Sequence, residues 1–488
     1  MSTQSVFNYA STDSPAVYHQ GRMISLGELL QTVDYLYEKI PAHQYLLNLY
    51  EDRYYFLLGF LLSLKQRSIS LLPSTITPYF LNQLKNNYAD ILLLSDTKEA
   101  QKGFQHCDLR SLINAADDQI ATSSKPISEQ TTLRIMPEIE LSRQIAIIFT
   151  SGSTGQPEPF IKQWGDLVFS GRYLAEKFLS DIAPRSKELT CILATVPAQH
   201  MYGLEASIMM ALQSGLLIHS EKPFFPQDIT LCLEQLAQAA RHRAQTIAAT
   251  LITTPLHIKA CIKTDVSLPG VKQFICATAP LEIELAQLCE DHYCARVMEV
   301  FGCTEVGTMA WRRTVASEQW TVFADMTLQA VNNQSDDKTK PDDVQIKTTR
   351  SIKNFLFNDI IELLDKQHFI LQGRKEDLIN LAGKRTSLAY LNHHLQSCDG
   401  LIDGCFYQDQ ESRLVAFVVL KQHCGEHKAK TEIEHKQTIL EIRNYLKNSI
   451  ESVFLPKKIY FVKALPRNAT GKLPMSELKT LLAQQETK

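Results

Sequence analysis

The stretch Ile145-Ala146-Ile147-Ile148-Phe149-Thr150-Ser151-Gly152-Ser153-Thr154-Gly155 decides the fold class. Its first half is an unbroken apolar run of strand length, the pattern of a strand buried on both faces. Its second half, Thr150 to Gly155, holds only small or hydroxylated residues, which are poor core material directly after such a strand. They suit a loop whose backbone N–H groups and hydroxyls wrap a polyphosphate, with glycines letting the chain come close. A Ser/Gly-rich surface turn is the other reading of the same residues. The common P-loop is excluded, because it needs a glycine five residues before a Gly-Lys-Ser/Thr end. The pairs Gly383-Lys384 and Gly471-Lys472 have Leu378 and Pro466 at that position, and neither is followed by Ser or Thr.

Outward from this stretch, short apolar runs alternate with helix-like segments. Ile69–Leu72, Ile91–Leu94, Ile145–Phe149, Cys191–Val196, Thr246–Ile252, Gln273–Ala277 and Arg296–Phe301 read as strands. Gln227–Ala240 and Ile283–Asp291 read as helices between them. The alternation predicts an α/β fold, with helices covering the faces of its β-sheets. Ligands in such folds gather at loops following the strand C-termini. The loops after Phe149, Val196, Ala277 and Phe301 are therefore the places to look. Asn332–Asp343 is polar and charged and reads as an exposed connection between strands. Past Leu371 the texture changes to two short strands around Gly404–Leu420, a long helix over Glu432–Phe454 and a last strand over Lys458–Val462. This predicts a large N-terminal domain, residues 1–372, and a small C-terminal α+β domain, residues 373–488.

A chain of 488 residues exceeds one ordinary core, so two or more domains are expected. With 44% hydrophobic residues and a net charge of −3, the composition is that of a soluble globular protein. Nothing in that charge favours nucleic acid or an anionic membrane as a partner. The most apolar run, Tyr54–Leu64, is about half the length of a bilayer span and is followed at once by Lys65, Gln66 and Arg67. It predicts a buried helix and no membrane insertion. The 11 cysteines include no Cys-x-x-Cys pair, and Cys289, His292 and Cys294 lack the further ligands of a zinc site. Reduced cysteines in a cytoplasmic protein are the expectation. Met1–Ala16 lacks the basic start and apolar core of a signal peptide.

Other segments place chemistry at the expected loops. Val196-Pro197-Ala198-Gln199-His200-Met201-Tyr202-Gly203-Leu204 follows one strand, and Ala277-Thr278-Ala279-Pro280-Leu281 another. Phe301-Gly302-Cys303-Thr304-Glu305 offers an aromatic face, a hydroxyl and a hard carboxylate ligand in close succession. Later come Phe357-Asn358-Asp359, then Gly373-Arg374-Lys375-Glu376-Asp377, and finally Leu465-Pro466-Arg467-Asn468-Ala469-Thr470-Gly471-Lys472-Leu473. Taken singly, several read equally well as turns. Taken in order, they resemble the adenylate-forming superfamily of acyl- and aryl-CoA synthetases, peptide-synthetase adenylation domains and firefly luciferase.

That resemblance implies roles. Thr150, Ser151, Gly152, Ser153, Thr154 and Gly155 would grip the β- and γ-phosphates of ATP. Phe301 and Ala279 would face the adenine, Thr304 the α-phosphate, and Glu305 would be the Mg²⁺ ligand. Asp359 and Arg374 would hold the ribose. His200, Tyr202 and Gly203 would border the acid pocket, with His200 near the α-phosphate. Glu376 would be the pivot of a mobile C-terminal domain, and Lys472 would span carboxylate and α-phosphate. The chain departs from the family where Glu158 replaces a lysine, with Lys162 near enough in sequence to substitute. It also departs where Thr278 and its neighbour replace glycines, and at Phe357-Asn358.

A carboxylate is a poor electrophile, and joining it to AMP supplies a leaving group. The reaction needs in-line attack, charge neutralisation and a held pyrophosphate. The resemblance implies an ATP- and Mg²⁺-dependent carboxylic acid ligase that passes its acyl group to a thiol. That thiol belongs to CoA or to the phosphopantetheine of an acyl carrier protein. His200, standing near the Asp that pairs the ammonium in amino-acid-activating relatives, argues against an amino acid. A weaker resemblance to ligases of bacterial aryl-polyene-type pathways implies an aromatic or short unsaturated acid. A non-thiol second step, or a non-catalytic nucleotide-binding homologue, are the alternatives.

Overall fold

The computed structural model describes the chain outside residues 1, 74–75, 77, 97–102, 123–137, 151–157, 181–187, 332–342, 350–353, 358, 375–377, 382–383, 410–412, 422–431, 451, 468–472 and 487–488. It divides into two compact units. One comprises Met1–Thr327 with Thr348–Lys353, the other Leu328–Lys347 with Asn354–Lys488.

The first unit is built on two large sheets, beside a two-residue pairing of Thr3–Gln4 with Ile139–Glu140. In one, Gln144–Thr150 pairs in parallel with Ile69–Leu72, which continues in parallel to Tyr45–Asn48, Ile91–Leu94 and Gln105–Cys107. On its other side Gln144–Thr150 pairs antiparallel with Glu158–Gln163. Alternate residues of Gln144–Thr150 serve two cores. Ile147 and Phe149 pack with Phe80 and Leu84 of the helix Pro78–Asn87, while Ala146 and Ile148 face the large core that includes helix Arg53–Gln66. Burial on both faces is why the run is uninterruptedly apolar. Helix Arg53–Gln66 is buried from Arg53 to Leu64. Asp52 caps it by accepting from the Tyr54 amide at 2.8 Å, and Arg67 in the left-handed region ends it. No helix among the described residues is long and apolar enough to cross a membrane.

In the second sheet, parallel strands run in the order Arg296–Cys303, Val271–Cys276, Thr246–Thr253, Glu188–Ala194, Leu217–His219 and Pro15–His19. Antiparallel strands flank them, Gly307–Arg312 beside Arg296–Cys303 and Arg22–Ser25 beside Pro15–His19. Leu193, Leu251, Phe274 and Val297 face helices Pro226–Arg241, Pro255–Lys263 and Ile283–Tyr293. Ile192, Ile252, Ile275 and Met298 face the large core. The helix-covered sheets are those the alternation predicts. Two strands stop earlier than expected, one at Cys276 instead of Ala277 and one at Ala194 instead of Val196. The buried Arg53 guanidinium takes the Val196 carbonyl, which peels the chain off the sheet.

In the second unit, Leu401–Gln408 pairs antiparallel with Leu414–Leu420, which pairs in parallel with Lys458–Phe461. Phe406, Ala416 and Val418 face helices Leu388–Gln396 and Glu432–Ser449. Cys405, Tyr407, Val415 and Phe417 face Leu478 and Leu482 of helix Met475–Glu486. This is the expected small α+β arrangement, although the long helix ends at Ser449 and not at Phe454, with a 3₁₀ turn over Ser452–Phe454. The compact division falls earlier in the chain than the boundary expected at Gly373 from the change of texture.

Candidate active site

Strand register brings three of the four candidate loops of the first unit to one edge of the second sheet, while the loop after Phe149 leaves a strand of the first. Ala194 lies opposite Ile252, Thr253 opposite Cys276, and Cys276 opposite Glu299, all in parallel ladders. The loops carrying His200, Thr278-Ala279 and Phe301–Glu305 therefore all leave the C-terminal ends of strands within one run of four, in which Thr246–Thr253 separates the first strand from the other two.

His200 is half-buried and occupies the N-cap position of a short helical turn, Met201–Gly203, with its carbonyl accepting from the Leu204 amide at 2.8 Å. The chain then continues as a π-helix, Leu204–Met209, a rare form that occurs frequently at functional sites. Tyr202 donates its hydroxyl to the Ile275 carbonyl at 2.6 Å. Burial pushes that phenol well above its usual value, so it stays a donor. Tyr202 thus moors the segment to the neighbouring strand end. Gly203 is buried, and a Cβ on it would overlap the Pro197 carbonyl. Its observed part is to let the turn that presents His200 close on itself. Gly203→Ala is expected to lower stability by about 1–3 kcal/mol, the scale of overpacking, and to cut activity as His200 shifts. An unchanged denaturation midpoint would remove this role.

Phe301 to Glu305 form the end of a strand and its turn. Arg296–Cys303 and Gly307–Arg312 pair antiparallel up to Cys303 opposite Gly307, with a register shift at Phe301/Gly302. Gly302 has no room for a Cβ, because the Gly307 carbonyl lies against it. The half-buried Phe301 ring leans on Trp320 with centroids 5.5 Å apart. Thr304 and Glu305 are half-buried in the turn. Burial, with the Glu305 carboxylate adding, pushes the Cys303 thiol up to about 12. Mg²⁺ commonly takes one or two carboxylates and completes its shell with substrate phosphates and water. A single part-exposed Glu305 fits that pattern. Among the described residues no cluster of three His, Cys, Asp or Glu could form a closed metal cage.

The Ala277–Leu281 loop departs from glycine in sequence but not in backbone. Thr278 has φ +80°, in the left-handed region. Ala279 is exposed and Leu281 is buried. The loop is tied to the next strand by Glu299, whose carboxylate accepts from the Leu281 amide at 3.1 Å, from Arg312 at 2.7 Å and from Thr314 at 2.9 Å. Glu299 is buried, and desolvation raises its pKa against the opposing pull of Arg312.

The phosphate-loop candidate spans a hairpin. Thr150 ends one strand directly opposite Glu158, which starts the next. Ser151, Gly152, Ser153, Thr154 and Gly155 lie outside the described residues, and of Thr150 only the backbone is described. Glu158 is exposed. Lys162, on the same returning strand, is 1% exposed and donates to the Glu305 carbonyl at 2.8 Å. Its ammonium serves the backbone of the Glu305 turn.

In the second unit, Asp359 lies directly opposite Arg374 in an antiparallel pair. The two ribose candidates are thus ladder partners, although Arg374 is described by its backbone alone. Phe357 is a core residue against Phe369. Glu376 and Lys472 lie outside the described residues. The segment leading to Lys472 is anchored by Arg467, which makes two 2.8 Å bonds to the Asp403 carboxylate. The residues missed by sequence reasoning are Glu205 and Glu299. Their signal was faint, a charge inside an otherwise apolar helix or strand.

Comparison with known proteins adds three findings. Residues 82–341 match the model of the AMP-binding enzyme family, and residues 404–472 that of the AMP-binding enzyme C-terminal domain. Among curated proteins, the chain is 25% identical to a 4-coumarate–CoA ligase of Cereibacter sphaeroides over 66% of this chain and 69% of that protein. It is 22% identical to a 3,4-dihydroxybenzoate–[aryl-carrier protein] ligase of Bacillus anthracis over 68% of this chain and 74% of that one. Among solved structures, the fold resembles O-succinylbenzoate coenzyme A synthetase (MenE) of Bacillus subtilis. With AMP bound, that enzyme aligns at TM-score 0.74 and 16% identity over 96% of both chains, and with ATP and magnesium at 0.73. With more than half of its length inside the first family match, the chain belongs to the AMP-binding, adenylate-forming enzymes.

Proposed function

We propose that this AMP-forming acid–thiol ligase activates an aromatic or short unsaturated carboxylic acid and passes the acyl group to the thiol of CoA or of a carrier-protein phosphopantetheine. The observation that carries the reading is the gathering of His200, Ala279, Phe301, Thr304 and Glu305 at the C-terminal strand ends along one edge of one sheet. Curated relatives named as ligases of 4-coumarate and of 3,4-dihydroxybenzoate support an aromatic acid, and their names include both kinds of thiol acceptor.

ATP with Mg²⁺ supplies the activated phosphorus and the leaving group. The chain's part is to bind and neutralise. Thr150–Gly155 holds the β- and γ-phosphates. Glu305 gives Mg²⁺ its protein carboxylate, and Thr304 hydrogen-bonds the α-phosphate. The ring of Phe301 and the flat backbone at Ala279 take the adenine, and Asp359 with Arg374 takes the ribose hydroxyls. Lys472 draws the acid carboxylate and the α-phosphate together. No general base is needed, since the acid is ionised at neutral pH. His200, Tyr202 and Gly203 form the wall toward the acid. Glu376 marks the hinge between residues 1–372 and 373–488. Buried free thiols, Cys191, Cys276 and Cys289 among them, accord with a reducing, cytoplasmic setting.

A panel of carboxylic acids with ATP, followed by mass detection of acyl-adenylates and of products with CoA and with carrier proteins, tests the proposal. AMP release without any thioester would select a non-thiol second step. No adenylate with any acid would sink the ligase reading. Glu305→Gln keeps the shape and removes the anion. It is expected to weaken apparent Mg²⁺ affinity about 10- to 100-fold or more, the scale of losing even an outer-shell group, as read from turnover against free Mg²⁺. An unchanged Mg²⁺ dependence would exclude Glu305 as the ligand.

A further inference from the structure

Beneath the Glu305 turn lie two opposite charges that the reaction scheme does not use. Lys162 and Glu205 are each 1% exposed. Burial pulls the Lys162 ammonium down, and Glu205 is the foremost group holding it up. The two belong to different parts of the first unit. Lys162 sits on the strand Glu158–Gln163, in register opposite Ala146 of the strand that leads into the phosphate loop. Glu205 sits on the π-helix that follows His200.

Both act on the same turn. Lys162 donates to the Glu305 carbonyl at 2.8 Å. Glu205 accepts from the Thr308 amide at 2.9 Å and from the Thr308 hydroxyl at 2.7 Å. Gly307 between them has φ +93°, and a Cβ there would strike the Glu205 carboxylate. The Thr304–Val306 turn is therefore clamped from two sides, by a cation at its carbonyl and an anion at the strand that follows. Two buried charges cost several kcal/mol each in desolvation unless well paired. An apolar pair of equal volume would pack as well, so packing alone gives no reason for them.

We propose that Lys162, with Glu205 as its counter-charge, is a positioning residue for the Glu305 turn, fixing where that carboxylate meets Mg²⁺·ATP and linking the turn to the phosphate-loop strand. This rests on the ligase reading given above. The chain lacks the family's lysine at residue 158, and a lysine four residues along the strand reaches the metal turn from below.

The test separates positioning from stability. Lys162→Met leaves Glu205 buried without its cation and should lower the thermal midpoint by several degrees. The double variant Lys162→Met/Glu205→Gln removes both charges, and its midpoint should return close to that of the parent. The hydrogen bond to the Glu305 carbonyl stays absent in both. Calorimetric titration with ATP, once with excess Mg²⁺ and once with EDTA, gives the readout. Both variants should bind Mg²⁺·ATP about tenfold more weakly, the scale of one hydrogen bond from a charged group. Binding in EDTA should change less than about twofold. A double variant that recovers its midpoint and also the parental ratio of Mg²⁺ to EDTA affinity overturns the proposal and leaves the pair a structural feature. Failure of the parent protein to bind ATP in either buffer overturns the ligase reading itself, and this inference with it.

Discussion

Lys472→Ala lowers adenylate formation by about 10²–10³-fold or more, the usual cost of one preorganised contact to transition-state charge. Transfer from a supplied acyl-adenylate to the thiol stays near the parental rate. The asymmetry follows from charge. In the first step a carboxylate approaches a phosphate, and a cation spanning both offsets their repulsion. In the second step a thiol attacks an already neutral carbonyl, and that cation has no such task. The upstream anchor, Arg467 on Asp403, is retained in the variant, so the loop's root is undisturbed. Single-turnover measurement of each half-reaction checks this, and equal loss of both would falsify the assignment.

Glu376→Pro should uncouple the steps in the opposite sense. Proline fixes φ near roughly −65° and removes a backbone donor, so a hinge that must change its dihedrals is locked. With the adenylating arrangement retained, pyrophosphate exchange persists while thioester formation falls, by about 10²-fold or more if the rotation assembles the second site. A mere surface turn predicts otherwise, since both steps would then fall together or neither would. Parallel loss in a folded variant rules out the pivot.

Much of this was legible in the sequence because the elements concerned are apolar on their own account. Ile69–Leu72 and Ile91–Leu94 occur as strands with the expected bounds, and helix Arg53–Gln66 is buried where Tyr54–Leu64 is most apolar. The strand Glu158–Gln163 was not legible. Its Glu, Pro, Lys and Gln read as loop, and it is a strand because Gln144–Thr150 offers it an edge. Lys162 in such a stretch reads as a stand-in for the lysine that Glu158 replaces, and only a carbonyl 143 residues away reveals the bond it makes. The Tyr202 hydroxyl donates to the Ile275 carbonyl, a partner that spacing cannot reveal. The site motifs were legible as residue types in order. Glu205 and Glu299 were not, since a lone carboxylate gives no hint of the amides it will accept from.

The backbone at Thr278 has a consequence for binding entropy. A β-branched residue at φ +80° costs on the order of 1–3 kcal/mol and persists only where its surroundings over-determine it. Here the surroundings are the Glu299 bond to the Leu281 amide and the rigid ring of Pro280. That energy is spent at folding, before any nucleotide arrives. The exposed shelf at Ala279, which we assign to the adenine, already has its shape in the free protein. A purine arriving there has no loop to order, and the freedom that binding would otherwise remove has already been given up by the fold.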